Sequence, residues 1–214
     1  MRTHRRLAMT SSALVAALTV GCAAPRPTHT GFIAPDARLV PTDERLNWGV
    51  GLHRVEAQPI GPQGLAGVES FYVEPVTWLA AEDDWLGPND VRRQRVSAAL
   101  DSSLREKLGR LLPIVDAPGP RSARVRAAVT QVKSARPVVN ALASTVWGPV
   151  AYGGASVEAE ILGPDGHRLA AASTASQGGI LDILGCFTRS GHPKKAARRA
   201  VDELVEALMP AAPR

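Results

Sequence analysis

Apolar residues recur every three or four positions between residues 90 and 111. Val96, Leu100, Leu104, Leu108 and Leu111 thereby fall on one helical face, with Arg92, Arg93, Arg95, Asp101, Arg105, Glu106 and Lys107 mostly on the other. Asn89 suits the N-cap, Asp90 suits the first turn, and Gly109 and Pro113 stop the helix. A second stripe, Ala197, Val201, Leu204 and Leu208, follows Pro193, which fits a first helical position. Between the two helices the period changes to two. Ala123, Val125, Ala127 and Val129 alternate with Arg124, Arg126, Ala128 and Thr130, which predicts a half-buried strand with one wet face. Ala155, Val157, Ala159 and Ile161 alternate with Ser156, Glu158 and Glu160. Gly163-Pro164-Asp165-Gly166 then turns the chain into a partner strand from His167 to Ala175, a hairpin. Residues 70–79 are β-branched and aromatic, but Pro75 cannot donate to a ladder and marks an edge or a bulge. Ile114-Val115 reads as a short strand before the turn Ala117-Pro118-Gly119-Pro120.

This order predicts an α+β fold: a mostly antiparallel β-sheet with two main helices packed on one face, a two-layer sandwich. Residues 69–210 form that single domain. Residues 22–68 are rich in Pro and Gly and lack sustained periodicity, so they read as a tether. In Ala24-Pro25-Arg26-Pro27-Thr28 each proline fixes its own φ and biases its predecessor away from helix. Gly31-Phe32-Ile33 and Leu39-Val40 are apolar islands expected to dock on the domain. Lys133 to Tyr152 and the apolar loop Ile180 to Phe187 give no clear period.

The first 22 residues have the zones of an export signal: a basic start with Arg2, Arg5 and Arg6, an apolar run from Leu7 to Val20, then small residues. The run is too short for a spanning helix, which takes roughly 20 residues. Val20-Gly21-Cys22 resembles the lipobox of bacterial lipoproteins, with Thr19 standing where that motif usually has leucine. The resemblance implies a signal peptide over 1–21, Cys22 acylated as the first mature residue with three chains, and a stable anchor, since one chain alone holds only marginally. Ala23 in place of aspartate implies sorting to the outer membrane, with the domain facing the periplasm. Two other readings stay open: Cys22-Ala23-Ala24 as an ordinary secretory cleavage site, and Arg5-Arg6 as a twin-arginine signal.

That processing changes the charge argument. The 214-residue chain carries +5, but Arg2, Arg5 and Arg6 leave with the signal and no acid does, so the mature chain carries +2. Nucleic-acid binding loses its main support, and basic residues are not interleaved with stacking aromatics. Cys186 is the only cysteine besides Cys22, so no intramolecular disulfide is expected, and its apolar neighbours suggest a buried thiol.

Candidate chemistry is sparse. Glu82, Asp83 and Asp84 lack the ligand spacing and central glycine of a helix-loop-helix calcium site and read as a solvated loop. Glu158 and Glu160 share one strand face. Paired carboxylates do acid/base work when burial splits their pKa values, whereas on an open sheet face they are simply solvated, which is the expectation here. An enzyme would have to use those glutamates with His53, His167, His192, Cys186, Asp165 and Asp182, and no catalytic or phosphate-binding spacing joins them. No cofactor, metal site or catalytic residue is expected. Two basic clusters remain, at Arg92 to Arg95 and at Lys194, Lys195, Arg198 and Arg199; each is a solvated face or a contact for acidic lipid or an acidic partner.

Several stretches in order resemble a family of bacterial lipoproteins, domain of unknown function 3313: Gly31-Phe32 with Leu39, Tyr72-Val73-Glu74-Pro75-Val76, Pro118-Gly119-Pro120 with residues 125–130, Gly153 to Ile161, and Leu169-Ala170-Ala171-Ala172. The loop from Ile180 to Phe187 departs from the pattern. The family supplies no catalytic residues to carry over. The sequence reading is thus a non-catalytic, lipid-anchored envelope protein, an accessory or binding module with another envelope protein as partner. The alternatives are a periplasmic lipid or small-ligand carrier and an uncharacterised hydrolase.

Overall fold

A computed structural model describes residues 27–47, 51–60, 64–81, 91–133, 154–177 and 191–208. The elements are β1 (Val40–Asn47), β2 (Gly51–Gln58), β3 (Ser70–Val73), β4 (Thr77–Trp78), α1 (Val91–Leu108), β5 (Ile114–Val115), β6 (Ser122–Lys133), β7 (Gly154–Leu162), β8 (Arg168–Gln177) and α2 (Gly191–Leu208). Among the described residues the strands make one open sheet in the order β1-β2-β8-β7-β6-β3-β5, with β4 also on β6. The pairs from β1 through β6 are antiparallel, while β3 runs parallel to β5 and β6 and β4 runs parallel to β6. The sheet is therefore mostly antiparallel. No described helix is long and apolar enough to cross a membrane.

Both helices form where the apolar stripes stand. Val96, Leu100, Leu104 and Leu108 of α1 and Val201 and Leu204 of α2 are buried in one cluster with Phe71, Val73, Val125, Val129, Val157 and Ile161 of the sheet. Val55 and Ala57 of β2 and the alanines at 123, 127, 159, 170 and 172 add to the sheet's share. Small residues let the helices approach the sheet closely at interior packing density. Lys107 of α1 and Asp202 of α2 form an ion pair that joins the two helices.

The hairpin forms as its alternation requires. Gly163 N–H donates to His167 O at 2.7 Å, His167 N–H donates to Asp165 Oδ1 at 2.9 Å, and Gly166 adopts φ 81°, which an L side chain rarely tolerates. Pro75 marks a bulge between two parallel strands rather than an edge: residues 74–76 face only 126–127, between the pairs Val73↔Val125 and Thr77↔Ala128.

Part of the Pro/Gly-rich stretch is sheet. Residues 40–58 hold β1 and β2, and β2 pairs with β8 from His53↔Ser176 to Gln58↔Ala171. Two features hide this in the sequence. Among the β2 side chains described, those of residues 54–58, only Val55 and Ala57 are buried, and β1 is an edge strand that tolerates Pro41 at a register shift. The stretch from Glu82 to Asn89, residues 134–152 and the loop 180–187 lie outside the described residues.

Candidate functional site

Side chains alternate between the two sides of a strand, so the positions between the core residues of β6 and β7 share the other side. These include Arg126, Thr130, Ser156, Glu158 and Glu160. On β8 a register shift between Ile161 and Leu162 directs Leu169 into the core, and Arg168 reaches Glu160. The expectation that the two glutamates are solvated is overturned: Glu158 is 1% exposed and Glu160 is 2% exposed. What covers them is the N-terminal segment, residues 28–36, lying over this side of the sheet as a strap.

The strap is held by hydrogen bonds into Glu158. Its Oε1 accepts from the Thr30 N–H at 2.9 Å and from the Thr28 hydroxyl at 3.3 Å, and its Oε2 accepts from the Ile33 N–H at 3.4 Å. Gly31 at φ 85° makes the turn that brings the amides of residues 30 and 33 to one carboxylate. Ser173 Oγ donates to the Thr28 carbonyl at 2.9 Å, and the Thr28 and Thr130 hydroxyls pair. A carboxylate taking several amide donors is among the stronger protein hydrogen-bond arrangements.

Glu160 is held differently. Its Oε1 lies 2.7 Å from Arg126 Nη1 and its Oε2 lies 3.2 Å from Arg168 Nε. The Arg126 guanidinium stacks on the Phe32 ring at 4.8 Å, and both Nη groups of Arg168 reach Asp36 Oδ1 at 3.1 Å. Two arginines therefore neutralise the buried carboxylate and grip the strap from the other side. His29 to Glu56 at 3.1 Å and Arg38 N–H to Gln58 Oε1 at 3.2 Å tie the strap to β2.

Arg168 also acts on the exposed Asp36 carboxyl at the end of the strap. Its hydrogen bond to Asp36, aided by its charge, holds the Asp36 carboxyl below the ordinary 3.8. Burial draws the Arg168 pKa down, but the hydrogen bonds it donates to Asp36 and Glu160 outweigh that and leave it raised. For a carboxyl depressed on folding, the stabilisation is complete above the unfolded value and is lost as pH falls through the folded one. Amide protection at Ala37 and Arg38, whose N–H groups donate to Ala34 O and Gln58 Oε1, is therefore expected to hold through neutral and mildly acidic pH and to drop only below pH 3.8.

The other sequence candidates are not assembled. Asp165 and His167 sit exposed in the β7–β8 turn. His53 is in β2 and His192 in the first turn of α2, while Cys22, Cys186 and Asp182 lie outside the described residues. Among the described residues no group of three or more His, Cys, Asp or Glu side chains could hold a metal ion. The residues that sequence reasoning missed are Thr28, Thr30 and Ile33 as partners of Glu158, and Asp36 as the partner of Arg168. One signal pointed to a cover: β8 carries alanine at both parities, 170, 171, 172 and 175, as a strand buried on both sides does.

The PelC dodecamer from Paraburkholderia phytofirmans aligns with 75% of this chain and 99% of its own, at 12% identity and a TM-score of 0.46. A DUF4136 family protein from Bacteroides thetaiotaomicron aligns with 73% of this chain and 97% of its own, at 9% identity and a TM-score of 0.40. No curated protein matches the chain. The model of the family described as "Protein of unknown function (DUF3313)" matches residues 62–203, which include all of α1, most of α2 and both buried glutamates, and the chain belongs to that family.

Proposed function

We propose that this is a non-catalytic envelope lipoprotein, acylated at Cys22 and held in the outer membrane, whose periplasmic domain serves as an accessory or binding module for another envelope protein. In this reading the two helices cover one face of the sheet and the strap covers the other. The observation that carries it is the clasping of residues 28–36 over Glu158 and Glu160. Only residues 23–27 separate Cys22 from Thr28, and six residue steps reach at most about 20 Å. A chain so short and so firmly docked suits a domain kept close against a membrane. Both glutamates use their acceptors on the chain's own donors, which suits a structural clasp better than acid/base work. The basic start, the apolar run and Val20-Gly21-Cys22 support the attachment.

Fractionation tests this directly. The protein is expected in the membrane fraction after a high-salt wash, and Cys22→Ala is expected to move it to the soluble fraction. Retention of Cys22→Ala in the washed membrane would overturn the anchor.

A further inference from the structure

We propose that the groove over β7 and β8 also takes the strap of a second copy, so that two chains exchange residues 28–36 and each completes the other's clasp. The groove asks for a defined chemistry. Two backbone amides set by a glycine turn meet Glu158, a hydroxyl sits beside Thr130, an aromatic ring lies against Arg126 and a carboxylate meets Arg168. Thr28, Thr30, Gly31, Phe32, Ile33 and Asp36 supply all of it, and a second copy carries the same segment. Exchange therefore replaces each contact with an identical one, which makes it a low-cost route to a two-fold pair.

The strap can come away as a unit. None of it lies in a strand, and Ile33 is its only buried side chain, so release breaks no ladder and exposes little apolar surface. It joins β1 through a single reversal, where the Ala37 N–H donates to Ala34 O at 3.0 Å around Pro35. Pro35 biases Ala34 toward extended backbone, which gives the opened turn a straight course. The seven steps from Ile33 to Val40 then reach at most about 25 Å, and Val40 is 50% exposed, so a neighbouring copy is within range. An empty groove is unfavourable, because Glu158 loses the amides of residues 30 and 33, and either the chain's own strap or a neighbour's restores them. Closure within one chain competes through an effective concentration of order mM for a short linker. The exchanged pair accordingly grows with the density of copies.

Disulfide trapping between copies tests the exchange. The Thr28 and Thr130 hydroxyls pair, so cysteines at these two positions stand within bonding range wherever a strap is docked. Two differently tagged full-length chains, both carrying Cys186→Ser, are co-expressed, one with Thr28→Cys and the other with Thr130→Cys, and the cells are oxidised. A disulfide-linked species bearing both tags is expected, and its share is expected to rise with expression level. The same strap copy paired with a chain carrying Asp165→Cys, in the exposed β7–β8 turn, is expected to give several-fold less. A single chain with both Thr28→Cys and Thr130→Cys shows, by its internal disulfide, that the oxidation works. That internal disulfide with no mixed species at the highest expression level, or equal yields from the 130 and 165 pairs, would overturn the exchange. Cys22 is common to every pair, so failure of the acyl anchor leaves the comparison intact.

Discussion

Glu160→Ala is expected to destabilise the fold by about 3–5 kcal/mol, the range for breaking a buried ion pair from one side. The cost comes less from the lost attraction than from what stays behind. Arg168, with only 11% of its side chain exposed, would keep its charge in the sheet with Asp36 as its remaining partner, and Arg126 would lose its contact at 2.7 Å. Urea denaturation followed by circular dichroism measures the effect. Glu69→Ala, which removes an exposed pair with Arg121, is the control and is expected to cost no more than about 1 kcal/mol. Equal effects for the two substitutions would show that the clasp around Glu160 is not formed.

Phe71→Ala is expected to cost about 3–5 kcal/mol, because a fully buried aromatic is replaced in a core that cannot close over the space. Phe71 lies in β3 between β5 and β6, paired with Ile114 on one side and Ala123 on the other. Its N–H is bonded to Pro113 O at 2.9 Å, so the strand cannot shift inward without losing a ladder bond. The alanine opposite has no side chain to extend into the cavity. A fall in Tm of roughly 10 °C by scanning calorimetry corresponds to this loss in a domain of this size.

How much of this could be read in the sequence depends on whether the signal is local. The α1 stripe from Val96 to Leu108 repeats at helical spacing over three turns, and all four residues are buried. The β7–β8 hairpin combines alternation in β7 with a turn that needs its glycine, so the elements were legible, whereas the register shift between Ile161 and Leu162 was not. The β1–β2 pair was not. Its stability comes from pairing with β8, more than a hundred residues away, and β2 on its own carries little apolar patterning.

The clasp was legible only in part. A glutamate at position 158 looks the same in sequence whether it faces water or two backbone amides, and those amides belong to residues 30 and 33, whose identity encodes nothing about donation. The Arg126–Glu160 pair follows once the β6–β7 register is known, because the two residues stand directly opposite. The alanines at both parities of β8 signalled that its second side is covered, without saying by what.

The strap joins the proposed anchor to the domain, and backbone hydrogen exchange of the full-length protein tests it most directly. The Thr30 and Ile33 amides are expected to be strongly protected in the unaltered chain. In Glu158→Ala they are expected to lose that protection while β6 and β7 keep theirs. Exchange of these two amides at free-chain rates in the unaltered protein would contradict a strap docked over Glu158.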